Sequence, residues 1–135
     1  MGLSFYNGFS PKQRLKGLAY YKKEIAEGRR TLTKICQGCG QTNGLIMAHS
    51  EDYSEPFGDH IGAYTFCYRC HIMLHCRYRS PLAWDDYKRG LREGAVWTPM
   101  HWPNFAEIQA TIAGDSKPKE FGNPRPTLIF DTMGI

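Results

Sequence analysis

No apolar stretch in this chain approaches the roughly 20 residues that a membrane-spanning helix requires, so no membrane partner is expected. The first ten residues, Met1 to Ser10, lack the charged-then-apolar layout of a secretory signal. The expected compartment is therefore the cytoplasm, where disulfides are rare. Neither sign of charge is in large excess: 17 basic against 13 acidic residues leave a formal +4. Such a balance permits a nucleic-acid partner without demanding one. There is no internal repeat, and 135 residues give room for one domain with a small core that a bound metal would help to hold.

What the chain does have is cysteine in pairs. Cys36-Gln-Gly-Cys39 and Cys67-Tyr-Arg-Cys70 account for four of its five cysteines. Two CxxC hooks a few tens of residues apart can close a tetrahedral thiolate cage around one Zn²⁺. Each hook reverses the backbone so that both sulfurs point the same way. Disulfides or free thiols are the alternative, and the expected compartment argues against them. With the cage complete, Cys76 reads as a buried small hydrophobe.

Ser10-Pro11-Lys12-Gln13 predicts a helix start, with Ser10 capping, Pro11 in the first turn and Gln13 completing a capping box. Leu15, Leu18, Ala19, Lys22 and Ile25 follow helical spacing, and Gly28 is a stop. Lys12, Arg14, Lys16, Lys22, Lys23, Arg29 and Arg30 form the polar face, which is either solvated or phosphate-contacting. Residues 45–49 and 61–66 predict strands on either side of a polar loop holding Pro56 and Gly58. Residues 70–78 predict a helix that places His71 and His75 on one face. Ser80-Pro81 starts another helix through Trp84, Tyr87 and Leu91 towards Gly94, and Asn104 caps a short one over 105–113. The stretch 114–126, rich in Gly, Pro and Lys, predicts an extended or mobile tail. Thr127 to Phe130 adds a strand or docks as a terminal peptide.

Hook, strand, loop, strand, hook, helix is the outline of an α+β treble-clef zinc fold with a ββα unit. The expected organisation is a single domain over 1–135. It comprises an N-terminal helix (10–28), a zinc-stabilised core (36–79), a helical extension (80–113) and a tail (114–135).

Three segments carry a family resemblance: Cys36-x-x-Cys39; Ile46-Met-Ala-His49-Ser-Glu-Asp-Tyr53-Ser-Glu-Pro56; and Phe66-Cys67-x-x-Cys70-His71-x-x-x-His75. Together they resemble the HNH (ββα-metal) endonuclease superfamily, in its zinc-containing phage and bacterial branch. The resemblance spans residues 36–76, a little under a third of the chain. It implies a DNA endonuclease that hydrolyses phosphodiester bonds of double-stranded or branched DNA. It also implies structural Zn²⁺ on Cys36, Cys39, Cys67 and Cys70, and a catalytic Mg²⁺, Mn²⁺ or Ni²⁺. On that mapping His71 is a catalytic metal ligand, His49 is the second ligand or the general base, and His75 is a third ligand or a helix-face residue. The alternative for His49 is a packed strand residue or a substitute zinc ligand.

Two departures matter. Ser50 stands where relatives carry a second histidine, and serine has no proton affinity near neutral pH. No Asn lies between Ser50 and Cys67. Glu51, Asp52, Asp59 and His60 are the candidates to fill the gap, whereas His60 and His101 otherwise read as surface or structural residues. The competing reading is a catalytically inactive zinc module that binds DNA or regulates a partner. Arg69, Arg77, Arg79, Lys88, Arg89 and Arg92, interleaved with Tyr78, Trp84 and Tyr87, fit a phosphate-contacting face or a solvated face with core aromatics. The oligomeric state, monomer or homodimer, is not specified by the pattern.

Overall fold

The computed structural model describes residues 3–135. In chain order the elements are α1 (Pro11–Ala26), β1 (Ile46–His49), β2 (Tyr64–Cys67), α2 (Tyr68–His75), α3 (Pro81–Arg92), β3 (Ala95–Val96), α4 (Phe105–Ala113), β4 (Glu120–Phe121) and α5 (Ile129–Thr132). The protein is thus mixed α and β, with two small sheets, β1–β2 and β3–β4. The chain forms two compact units. One holds the described residues of Met1–Thr33 with Ala48–Thr65, the other Lys34–Met47 with Phe66–Ile135.

In the first unit α1 begins as its residues dictate. Pro11 occupies the first turn, and Ser10 Oγ accepts a hydrogen bond from Gln13 N at 3.2 Å. The expected capping box does not form. The Gln13 side chain instead donates to Tyr53 O at 2.8 Å and Glu55 Oε1 at 3.2 Å, which ties the helix to the loop after β1. The buried stripe also differs from the expected one. Leu15 is 57% exposed, and the helix buries Arg14 and Gly17 instead.

Gly17 explains the change. A Cβ there would stand 2.9 Å from the Tyr53 ring and 3.3 Å from Ile61, so only glycine lets the loop approach this side of the helix. Arg14 then lies with its guanidinium 5.3 Å from the Tyr6 ring and 5.4 Å from the Tyr53 ring, and donates to Ser4 O at 2.7 Å. Arg30 is likewise turned inward, donating to Ile61 O and Gly62 O with its guanidinium over Tyr21. Arg29 pairs with Glu24 and Glu27. Of the expected cationic face, Lys12, Lys16, Lys22 and Lys23 face outward.

The second unit is built on fully buried Phe66, Met73, Leu74, Leu91, Ile108 and Phe130, with α2, α3 and α4 packed on one another. Asn104 caps α4 as expected, Oδ1 accepting from Glu107 N at 3.3 Å. Ser80 precedes α3 without a side-chain cap, and Pro81 alone marks that start. The tail is extended but held in place. Glu120 and Phe121 pair antiparallel with Val96 and Ala95. Arg125 donates to the carbonyls of Leu91, Ala95 and Cys39 at 3.1, 3.1 and 2.9 Å. The chain then ends in a single helical turn rather than a strand. That turn inserts Phe130 against Phe66 and Trp84, with ring centroids 5.3 and 4.8 Å apart.

Candidate metal centres

The two hooks meet. Cys36, Cys39, Cys67 and Cys70 bring their sulfurs within 4.8 Å of one another, with Cys36, Cys67 and Cys70 buried and Cys39 half-buried. No disulfide is present, and Cys39 Sγ lies 3.8 Å from Cys67 Sγ. A tetrahedron with metal–sulfur bonds of about 2.3 Å has sulfur–sulfur edges of about 3.8 Å, so the cluster fits a four-thiolate metal site.

Each hook is braced in the same way. Cys39 N donates to Cys36 Sγ and Cys70 N to Cys67 Sγ, both at 3.4 Å. Gly38 completes the first hook because a Cβ there would meet Phe130 at 2.8 Å and Cys70 Sγ at 2.9 Å. Tyr87 OH lies 3.0 Å from Cys70 Sγ, placed to donate to a thiolate.

The electrostatics point the same way. Hydrogen bonds from Cys39, Cys67 and Cys70 draw the Cys36 thiol far below its usual range. The neighbouring Cys36 pushes Cys67 up, and burial pushes Cys70 up. Bare sulfurs therefore stabilise a thiolate at Cys36 at the expense of the others, and a divalent cation is what lets all four ionise together. The cluster has the donor set to bind a metal ion such as zinc. Cys76, expected to be a buried hydrophobe, is half-buried at the C-terminal end of α2.

His71 and His75 project from α2 directly after the second hook. Their Nε2 atoms are 3.0 Å apart and their rings meet edge to face at 4.7 Å. His71 Nδ1 also lies 3.4 Å from Met47 Sδ. Two imidazole nitrogens at that separation suit a pair of ligands on one divalent ion, whose bonds to nitrogen are about 2.0–2.1 Å for zinc.

His49 ends β1 with its side chain 1% exposed, and its Nε2 meets Glu51 Oε2. Tyr6 OH donates to the same carboxylate and lies 3.4 Å from His49 Nε2. Asn7 Nδ2 donates to Glu51 Oε1 at 3.1 Å and to Glu51 O at 2.9 Å. These contacts come from a tight turn in which Tyr6 and Phe9 exchange backbone hydrogen bonds at 3.1 and 2.9 Å. Asn7 and Gly8 at its tip both have positive φ, 51° and 82°, as a type I′ turn requires. Tyr6 and Asn7 are not among the residues expected at this site, although Asn-Gly between aromatic residues is itself a hairpin signal.

Of the other loop candidates, Asp52 accepts from Ser54 N at 2.8 Å, and Ser54 holds its carboxyl below the usual range. His60 Nε2 contacts Ser54 O at 2.8 Å, while Asp59 and His101 are exposed. Glu51 is thus the loop carboxylate at His49.

Ser50 has a structural task. It is 3% exposed, and its Oγ accepts from Gly62 N at 2.6 Å. Restoring a second imidazole by Ser50→His would leave that buried N–H without its partner and add bulk to a packed site. We expect Ser50→His to destabilise the protein by about 2–5 kcal/mol in urea unfolding. Unchanged stability would show that the loop can rebuild around a larger side chain.

The basic residues on and after α2 serve mainly internal contacts. Arg69 is buried, bonded to Glu107 Oε1 at 3.2 Å and Thr111 Oγ1 at 2.5 Å, and stacked 4.3 Å over Trp97. Arg77 is buried on Leu74 O and Tyr78 OH. Lys88 sits near Asp85 and over Trp84, Arg89 pairs with Asp86, and Arg92 with Asp131. Trp84 and Tyr87 are core aromatics, and Arg79 and Arg89 are exposed. No helix among the described residues is long and apolar enough to cross a membrane. Neither a family model, nor a curated protein, nor a solved structure matches the chain.

Proposed function

We propose that the chain is an HNH-like metal-dependent DNA endonuclease whose cysteine cluster holds structural zinc in a treble-clef scaffold. The observation that supports this reading most is the His71–His75 pair, 3.0 Å apart, on the helix that the second hook starts. The order β1, β2, hook, α2 matches the ββα outline that the resemblance implies. On this reading His71 and His75 hold a hydrated Mg²⁺, Mn²⁺ or Ni²⁺, which when bound stabilises charge developing on the scissile phosphate. His49 takes the proton of the attacking water, because Ser50 cannot and Glu51 supports the imidazole. With His49 as base, α2 supplies both imidazole ligands of the ion, His71 and His75.

The test is nicking of supercoiled plasmid by purified protein with each divalent ion, against a chelator control. Metal-dependent nicking is the expected result. Its absence at micromolar protein, with duplex binding intact, would leave the second reading, a zinc-scaffolded DNA-binding module, which the loss of the second imidazole at Ser50 favours.

Duplex DNA is the proposed partner, and α1 supplies its docking face. Lys12, Lys16, Lys22 and Lys23 point outward, and only Lys16 has a nearby carboxylate among the ion pairs of the described residues, Glu55 at 3.7 Å. Each lysine on a phosphate contributes about 0.9 to the slope of log affinity against log salt. Changing all four to Gln should flatten that slope by about 2–4 units in anisotropy titrations. Folding should be unaffected, since surface substitutions of this kind stay within about 0.5 kcal/mol. An unchanged slope would remove α1 from the interface.

A further inference from the structure

We infer that Glu51 is a positioning residue for His49, and that the Tyr6–Phe9 turn exists to hold Glu51 in that role. The inference rests on the reading of His49 as the base, but the geometry on which it stands is independent of catalysis. His49 is 1% exposed, so its ring polar atoms must be satisfied within the protein. Its Nε2 meets Glu51 Oε2. That oxygen also takes the Tyr6 hydroxyl, and Oε1 takes the Asn7 amide at 3.1 Å. Tyr6 OH and Asn7 Nδ2 donate to both oxygens, an arrangement that favours the ionised, acceptor-only form of the carboxylate.

Against an ionised Glu51 the proton belongs on His49 Nε2, and we assign the ring lone pair of the neutral imidazole to Nδ1. A carboxylate on one imidazole nitrogen fixes the tautomer and raises the basicity of the other, as in metal-bound histidines and in the acyl-transfer triads. Glu51 meets His49 directly and therefore acts through the imidazole, not on the reacting atoms.

Nitrogen-15-detected imidazole spectra at a single pH test this, first in the wild-type protein and then in two variants. The expected result is a proton on His49 Nε2, shifted downfield and slow to exchange, with Nδ1 showing the shift of an unprotonated nitrogen. Glu51→Ala should remove the downfield proton, and Tyr6→Phe should retain it with faster exchange. Cleavage by Glu51→Ala should fall about 100-fold in kcat, with KM and metal affinity unchanged. A proton on Nδ1 in the wild type, or a downfield resonance that survives Glu51→Ala, would overturn the inference. The expected spectra in a protein that nicks no DNA would instead uphold Glu51 and end the nuclease reading.

Discussion

Cys70→Ser abolishes cooperative unfolding of the unit formed by Lys34–Met47 and Phe66–Ile135, and purified wild-type protein carries one equivalent of zinc: these are the largest effects we expect. The four sulfurs lie within 4.8 Å of one another, and the elements around them converge on the site. Gly38 packs against Cys70 Sγ, Tyr87 reaches the same sulfur, and Arg125 bonds the carbonyl of Cys39. Structural zinc contributes an apparent 10–16 kcal/mol (roughly) in small domains, which matches or exceeds the roughly 5–15 kcal/mol by which whole domains are stable. Losing one ligand from a completely buried position therefore leaves too little to hold the rest. Near-UV dichroism of Trp84 and its neighbours should collapse in Cys70→Ser and, reversibly, in wild type treated with a strong chelator. Cys76→Ser serves as the control, because Cys76 stands outside the cluster and its loss should leave zinc content intact. Zinc below about half an equivalent, with unfolding indifferent to chelator, would overturn the cage.

The parts legible in the sequence are those that local chemistry specifies. CxxC spacing announces the cluster because each hook is a local turn. Ser10-Pro11 and Asn104 mark helix starts because caps lie within one turn of what they cap. The parts that were not legible depend on partners distant in the chain. Arg14 carries the signature of a surface cation, yet Gly17 opens the helix to Tyr53 and turns Arg14 inward. Arg69 and Arg92 look like phosphate ligands until Glu107 and Asp131, 38 and 39 residues on, are seen to meet them. The tail has the composition of a mobile segment, but composition does not register that Arg125 finds three carbonyls or that Phe130 finds the core. At the candidate site, His71 and His75 follow from helical spacing alone. Glu51 stood among four loop candidates, and nothing local distinguishes it. Its selection comes from Tyr6 and Asn7, 45 and 44 residues upstream, in a turn whose Asn-Gly tip is readable but whose target is not.

His71→Ala should lower metal-dependent nicking by about three orders of magnitude while leaving the zinc in place. A bound divalent ion supplies several kcal/mol of charge stabilisation, and each 1.36 kcal/mol of barrier is tenfold in rate, so about 4 kcal/mol corresponds to about 1,000-fold. The half-buried imidazole contacts Met47 Sδ and His75 and is not one of the four clustered ligands, so its truncation should cost about 1 kcal/mol of stability and no zinc. The contrast with Cys70→Ser, one residue earlier, separates the two metals: one variant unfolds, the other folds and fails to cleave. His75→Ala should weaken the activating ion in the same way if both rings hold it, and calorimetric titration with Mn²⁺ should show the loss in affinity for each variant. Undiminished nicking in both variants would take the helix histidines out of the chemistry. Loss of nicking with Mn²⁺ affinity unchanged would instead assign the pair to substrate or proton handling. Activity that falls only with His71→Ala would return His75 to a packing role and leave His71 as the helix ligand.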